Sequence, residues 1–358
     1  MEQRGWDRQF NGNIPGHPSR SLAQESEVLS QAGNGRIRRA THAPEHHGEY
    51  RGALNRKLLL LRRRDCYAFV LSANLAYAIE GYPRVNNDQL TFLKSRADVV
   101  RRDIVEMVYR ANSGHVGGSL GAADLLVTLY HHLMQHDAQN PGWAGRDRFI
   151  MSKGHCTPVY YAVLADCGYF PRKDLETFRR PGSHLQGHPY HPKTQGVDAS
   201  TGTLGLGIST GVGMALAAKL KSEKHTVYIV CGDGEIQEGQ AWEAAMFANK
   251  YHLDNVIAFV DRNYLQTDGN SEDIMPLDPL AAKWEAFGWR TFEIDGHDYR
   301  EIAATVEKAK NLRGKPTMII AKTIKGKGVS FMENAVEWHG TPPNQQQYER
   351  AMGELAHA

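Results

Sequence analysis

The sequence predicts an α/β fold: a doubly wound, mostly parallel sheet flanked by helices. Three observations carry that reading. Four short runs of strand character, Thr226 to Cys231, Val256 to Asp261, Trp289 to Ile294 and Thr317 to Ile324, are each bounded by turn residues. They are apolar enough to be buried strands of a parallel sheet. Helical segments separate them, and a β-α-β-α-β alternation implies double winding. With 358 residues, 41% hydrophobic and 23% charged, the chain is long enough for a proper core and is neither disordered throughout nor collagen-like.

The elements follow in order. Residues 1–64 hold 12 Lys+Arg against 6 Asp+Glu, a balance of +6 that leaves −4 for the remainder. This leader is rich in Gly, Pro, Asn, Gln and His, as in Asn11-Gly12-Asn13-Ile14-Pro15-Gly16-His17-Pro18, and has no helical or strand period before Leu58. An N-terminal extension over 1–85, largely disordered, is the expectation. Arg62-Arg63-Arg64 before Tyr67 to Ile79 and Ala76-Tyr77-Ala78 has the outline of a secretory signal, but such signals begin within the first residues of a chain. An additional amphipathic helix is the plainer reading. No Met occurs between Met1 and Met107, which leaves a downstream translation start open.

From residue 88 the pattern changes. Leu90, Leu93, Ala97, Val100, Ile104, Met107 and Val108 share one face of a helix that stops at Asn112-Ser113-Gly114. A second helix is expected over Ser119 to Met134, capped by Ser119. Further helices are expected over Gly207 to Lys221, Gln240 to Tyr251, Pro279 to Phe287 and Tyr299 to Leu312. Residues 86–345 read as one domain and 346–358 as a C-terminal tail.

Composition removes several classes. A net charge of +2 gives no general attraction to nucleic acid or an anionic membrane. The apolar stretch Tyr67 to Ile79 is broken by Ser72 and Asn74 and falls short of the ~20 residues that span a bilayer. Cys66, Cys156, Cys167 and Cys231 lack C-x-x-C spacing and are too sparse for a disulfide framework, so a reduced, cytoplasmic setting is expected.

The chemistry concentrates where the strand Thr226 to Cys231 runs into Gly232-Asp233-Gly234, followed by a helix and a strand ending at Asp261-Arg262-Asn263. Parallel strands joined by one crossover helix end on the same sheet edge, where such sheets bind ligands, so Asp233 and Asn263 can reach a common point. A carboxylate and an amide oxygen suit Mg²⁺ or Ca²⁺, and Mg²⁺ with few protein ligands is completed by water and phosphate. Gly232 and Gly234 admit the backbone to phosphates, and a helix starting near Glu238 offers free N–H groups to an anion. No G-x-x-x-x-G-K-[ST] occurs, and Thr210 stands where G-x-G-x-x-G needs its last Gly. Gly205, Gly207, Gly211 and Gly213 read instead as a tight loop and close helix packing. Histidines recur in glycine-containing loops, as His115, His155, His188 and His339, which marks them as site candidates. His184, His188 and His191 lack a Cys or Glu to complete a zinc spacing.

Six ordered motifs extend this pattern: Ser113-Gly-His-Val-Gly-Gly-Ser-Leu-Gly121, Asp147-Arg-Phe-Ile-Met-Ser-Lys-Gly-His155, Leu185-Gln-Gly-His-Pro189, Ser200-Thr-Gly-Thr-Leu-Gly205, Gly232-Asp-Gly-Glu-Ile-Gln-Glu-Gly239 and Lys322-Thr-Ile-Lys-Gly-Lys-Gly328. Over roughly residues 88–345 they resemble the N-terminal subunit of a split, thiamine diphosphate-dependent transketolase. The resemblance implies Mg²⁺ on Asp233, Asn263 and the Leu265 carbonyl, with Gly234, His155 and His339 around the diphosphate. It places Gly202, Thr203 and Leu204 along the thiazolium, and His115, His188 and His339 toward the substrate as hydrogen-bonding and proton-moving groups. Glu238 matches a family residue at the contact between cofactor sites. Leu206 stands in place of a common Gln and Val116 in place of a common Pro, while Arg262 precedes the Asn; none of these removes a ligand.

The family activates its cofactor with a Glu held in a separate pyrimidine-binding domain. Only nineteen residues follow His339, so the resemblance implies a second polypeptide, the C-terminal transketolase subunit, in a heterotetramer. The implied reaction moves a two-carbon ketol unit from a ketose phosphate to an aldose phosphate. The diphosphate-binding half of a deoxyxylulose phosphate synthase or a 2-oxo acid dehydrogenase, and a non-catalytic paralogue, are the alternatives.

Overall fold

The computed structural model describes residues 85–356; the expected extension, its signal-like segment and the end of the tail lie outside them. The first helix, α1 (Asn87–Ala111), opens with a reciprocal cap. Asn86 Oδ1 accepts from Gln89 N at 2.8 Å, and Gln89 Oε1 accepts from Asn86 N at 2.9 Å. It closes on Asn112 in the left-handed region, as the Asn-Ser-Gly stop predicts.

The second helix differs from expectation. In place of one helix from Ser119 to Met134 there are α2 (Val116–Gly121), α3 (Ala123–Thr128) and a π-helical turn at Leu129–Leu133. Ser119 caps nothing; it lies inside α2 and its hydroxyl donates to the His115 carbonyl at 2.7 Å. The glycines here serve close packing: a Cβ at Gly117 would stand 2.7 Å from the Trp338 carbonyl oxygen, and one at Gly121 2.9 Å from that of Ile324.

The strands β1 (Arg148–Met151), β2 (Val227–Gly232), β3 (Val256–Arg262), β6 (Arg290–Asp295) and β7 (Thr317–Lys322) form one parallel sheet in the order β1-β2-β3-β7-β6. Two-residue strands β4 (Leu265–Gln266) and β5 (Gly269–Asn270) make a small hairpin after β3. The doubly wound α/β fold is as predicted. Alternate residues of β1, β2, β3 and β7 enter two separate cores. Tyr228, Val230, Ile257 and Phe259 pack with α1 to α3, α4 (Thr157–Asp166), α9 (Tyr299–Asn311) and α10 (Gln345–Ala356). Val227, Ile229, Ala258 and Val260 pack with α5 (Leu206–Leu220), α6 (Gly239–Lys250) and α8 (Leu280–Ala286); a short helix α7 (Ser271–Ile274) precedes α8. Period-2 burial on both faces is what makes the strands read as continuous apolar runs.

Strand β1 and helix α4 escape a periodicity reading. The first has four residues, and the second is buried at every position from Thr157 to Ala165, which erases the 3.6-residue signature. The segment from residue 346, read as a tail, is helical and buries Ala351 and Leu355. Close packing accounts for most of the glycine cluster. Gly205 has φ +80°, a Cβ at Gly207 would come 2.6 Å from the Ser152 Cα, and one at Gly211 2.7 Å from Ile229 Cγ1. Gly213 is the exception, with no described residue within 4 Å of a Cβ placed there.

Candidate active site

Strands β1, β2, β3 and β7 deliver their carboxyl ends to one cavity of about 390 Å³. Gly232, ending β2, is in register with Asp261 near the end of β3, which is in register with Ala321 of β7. The next residues are therefore neighbours: Asp233, Asn263 and, beyond the turn, Leu265 line the cavity together with Gly234, Gly202, Leu204 and the histidines His115, His155, His188 and His339. Thr203 is exposed in the same loop, outside the cavity lining. Glu238 is also absent from the wall. It is exposed as the N-cap of α6, its side chain against the Gly205 loop.

The expected helix start near Glu238 does not face the cavity. A 3-10 turn, Glu235–Gln237, follows Gly234, and Glu238 in extended conformation redirects the chain before α6 begins at Gly239. The backbone that lines the site is Gly232 to Glu235.

Asp233 is 2% exposed. Its Oδ1 accepts from Gly234 N at 2.8 Å and its Oδ2 from Tyr264 N at 2.6 Å, while Arg262 Nη1 stands 3.4 Å from Oδ2. Arg262 is itself buried, donates to Ser271 Oγ at 3.0 Å and lies 4.0 Å from the centroid of the Tyr264 ring. It braces Asp233 without closing off its remaining lone pairs. Asn263 Oδ1 accepts from Leu265 N at 3.1 Å. A carboxylate, an amide oxygen and a backbone carbonyl form a set of hard oxygen donors, which fits Mg²⁺.

Two buried lysines, which the sequence patterns did not single out, complete the floor. Lys153 forms an ion pair with Asp261 and donates to the Gly118 carbonyl at 3.1 Å. Burial disfavours its charge, but the Asp261 carboxylate outweighs that and raises its pKa. Lys325 donates to the Leu265 carbonyl at 2.9 Å and to His339 Nδ1 at 2.8 Å, and burial lowers its pKa. Signals for both were present. A carboxylate at the end of the apolar run Val256 to Val260 needs a cation partner, and Lys325 sits among the glycines of the last motif.

The histidine rings lie close together, with centroids 4.9 Å apart for His115 and His155, 5.5 Å for His115 and His339, and 5.4 Å for His155 and His339. Burial is the main reason all three titrate low: His115 at about 3 with His155 and Arg179 adding, His155 at about 4 with Lys153 adding, His339 at about 3 with Lys325 adding. Burial followed by Arg179 also lowers His188. The rings are neutral at pH 7, and the ammonium on His339 Nδ1 puts the ring proton of His339 on Nε2. Among the described residues, His115 Nδ1 is buried without a partner. The other histidines point elsewhere: His184 pairs with Asp174 at 3.1 Å and His191 Nδ1 with the Val197 carbonyl at 2.6 Å.

A doubly wound sheet gathers an acidic-amide oxygen pair and buried cations at its carboxyl edge, the place where such sheets bind ligands. Comparison with known proteins narrows the reading. Residues 93–356 match the family described as transketolase, thiamine diphosphate binding domain. The 6-deoxy-6-sulfo-D-fructose transketolase subunit of Clostridium sp. (strain MSTE9) is 47% identical over 75% of this chain and 98% of its own. An apulose-4-phosphate transketolase subunit from Phocaeicola vulgatus is 41% identical over 75% of this chain and 95% of its own. The crystal structure of the Campylobacter jejuni transketolase superposes with a TM-score of 0.70 at 36% identity, covering 74% of this chain but only 43% of that one. The chain belongs to the transketolase family.

Proposed function

We propose that this chain is the diphosphate-binding subunit of a two-subunit transketolase, transferring a two-carbon ketol unit from a ketose phosphate to an aldose phosphate. One observation carries the reading: Asp233, Asn263 and the Leu265 carbonyl share a cavity with two buried lysines and four histidines. Asp233, Asn263 and Leu265 would hold Mg²⁺, and Gly234, His155, His339 and Lys325 would surround a diphosphate. Gly202 and Leu204 would lie along the thiazolium ring, with Thr203 between them facing out of the cavity. Thiamine diphosphate, when bound, supplies the carbanion-stabilising centre that the side chains here lack.

The chain's own groups then act on the sugar. His339 presents an Nε2 proton and His115 a buried Nδ1 without a partner among the described residues, so a bound ketose hydroxyl would find ring nitrogens already desolvated. Neutral at pH 7, His339 can only donate from Nε2, because its Nδ1 is held by Lys325, whereas His115 can accept a hydrogen bond as well as donate one. His188, at the same wall, offers a third contact.

The need for a second polypeptide is supported by relatives that carry the word subunit in their names and match this chain over nearly their whole length. Leu204 at the cavity, 39% exposed, and Leu206 beside it, 46% exposed, leave an apolar rim for such a partner to cover. That partner, the C-terminal transketolase subunit, would bring the pyrimidine-binding domain and the activating Glu. The active unit would be a heterotetramer with Glu238 near the contact between cofactor sites. A reduced, cytoplasmic setting accords with free Cys156, Cys167 and Cys231. No described helix is long and apolar enough to cross a membrane.

The test is ketol transfer to ribose 5-phosphate by the chain alone and mixed with the product of the neighbouring gene, with thiamine diphosphate and Mg²⁺. Xylulose 5-phosphate, 6-deoxy-6-sulfofructose and apulose 4-phosphate serve as donors, since the relatives differ in that head group. Activity confined to the mixture is expected; turnover by the chain alone would remove the two-subunit reading.

A further inference from the structure

Glu235 is 3% exposed, and both of its carboxylate oxygens are spent on neighbouring segments. Oε1 accepts from Ser152 Oγ at 2.5 Å and from Gly205 N at 3.1 Å; Oε2 accepts from Gly232 N at 3.0 Å. Three donors thus come from three different places: the turn after β1 that leads to His155, the loop 201–205 that leads into α5, and the end of β2. Each segment carries residues of the cavity, namely His155, Gly202 with Leu204, and Asp233 with Gly234.

The first two segments also abut one another. A Cβ at Gly154 would lie 2.8 Å from both Gly202 N and Thr201 Oγ1, and Thr201 Oγ1 donates to the Met151 carbonyl at 2.7 Å. Their relative placement therefore has little slack, and Glu235 sits where they meet the strand. Hydrogen bonds to a charged acceptor are stronger than neutral ones, and a loop held by one is pre-organised before its ligand arrives.

We infer that Glu235 is a positioning residue whose carboxylate fastens three cavity loops and thereby sets the affinity of the site for its diphosphate cofactor. The inference rests on the thiamine diphosphate reading above. Glu235 lines the cavity, and in this role its carboxylate acts through the backbone of Gly205 and Gly232 and the hydroxyl of Ser152.

The experiment titrates thiamine diphosphate with Mg²⁺ into the full-length chain, with its partner present, and follows binding by calorimetry. Glu235→Gln and Glu235→Ala are compared with the unmodified chain, and cofactor KM, ketose KM and kcat at saturating cofactor are measured alongside. Each lost bond to a charged group is worth about a tenfold change in affinity or more, so the cofactor Kd should rise about tenfold in Glu235→Gln and further in Glu235→Ala. Cofactor KM should rise with it, ketose KM should stay unchanged, and saturating cofactor should restore kcat. Ser152→Ala removes one bond of the three; it should give a smaller rise in Kd and covers the case in which Glu235→Ala does not fold. An unchanged Kd in Glu235→Gln and Ser152→Ala, with only a lowered Tm, would overturn the positioning role while leaving the cofactor reading intact. An unmodified complex that binds no thiamine diphosphate would overturn both.

Discussion

The ammonium of Lys325 lies 2.9 Å from the carbonyl oxygen of Leu265, sixty residues away in sequence. The same nitrogen holds Nδ1 of His339, so one cation at the cavity floor touches both a proposed metal ligand and a proposed substrate-facing ring. Burial disfavours that charge and nearby Cys156, Asp233 and Asp261 offset it only in part, which leaves the site prepared for an anion. Lys325→Met should weaken binding of Mg²⁺ with thiamine diphosphate by about tenfold to a hundredfold, since a charged hydrogen bond is worth ~1.5–3 kcal/mol. Calorimetry checks it. An imidazole at position 339 freed of its cationic neighbour should also titrate at higher pH, which NMR would show.

Asp233→Asn separates stability from binding. Burial, then the nearby Asp261 carboxylate, raises the Asp233 pKa, so its charge is unfavourable in the metal-free protein. An amide of the same shape removes that penalty but gives up one of the two backbone N–H bonds. The metal-free Tm should therefore shift little, while Mg²⁺-dependent cofactor binding should fall about a hundredfold through loss of the charged ligand. Thermal melts with and without Mg²⁺ and thiamine diphosphate measure both halves.

Acid should destabilise the metal-free chain through His115 and His155. Their folded-state values, about 3 and about 4, lie below the ordinary imidazole value near ~6.5. Between those limits the unfolded chain binds protons that the folded chain does not, so stability rises with pH through the window and is complete above it. Tm should fall by roughly 2–4 °C from pH 6.5 to pH 5.5. The fall should be shallower in His115→Asn, and differential scanning calorimetry across pH reads it directly.

Two glycines of α5 should behave oppositely. At Gly211 a Cβ would stand 2.7 Å from Ile229 Cγ1, so Gly211→Ala forces the helix off the sheet and should cost about 1–3 kcal/mol. At Gly213 nothing among the described residues lies within 4 Å, so Gly213→Ala should be neutral or stabilise by up to ~1 kcal/mol through helix propensity. Urea denaturation of the two variants distinguishes the sites.

The parallel sheet and the edge at which the chemistry collects were legible in the order of residues. Strands β2, β3 and β7 are buried on both faces, so their apolar runs stand out, and the thirty residues from Asp233 to Asn263 are one crossover unit whose ends must meet. Motif resemblance then assigned roles. How distant loops complete one another came from the folded chain. Ser152 and Glu235 are 83 residues apart and Lys153 and Asp261 are 108 apart, and no local period encodes either pairing. The fold also breaks residues 116–133 into three pieces, because Gly117 and Gly121 must press against the backbone at Trp338 and Ile324, some two hundred residues further on. Local propensity is written in neighbouring residues, whereas desolvation and charge pairing depend on what the fold brings alongside.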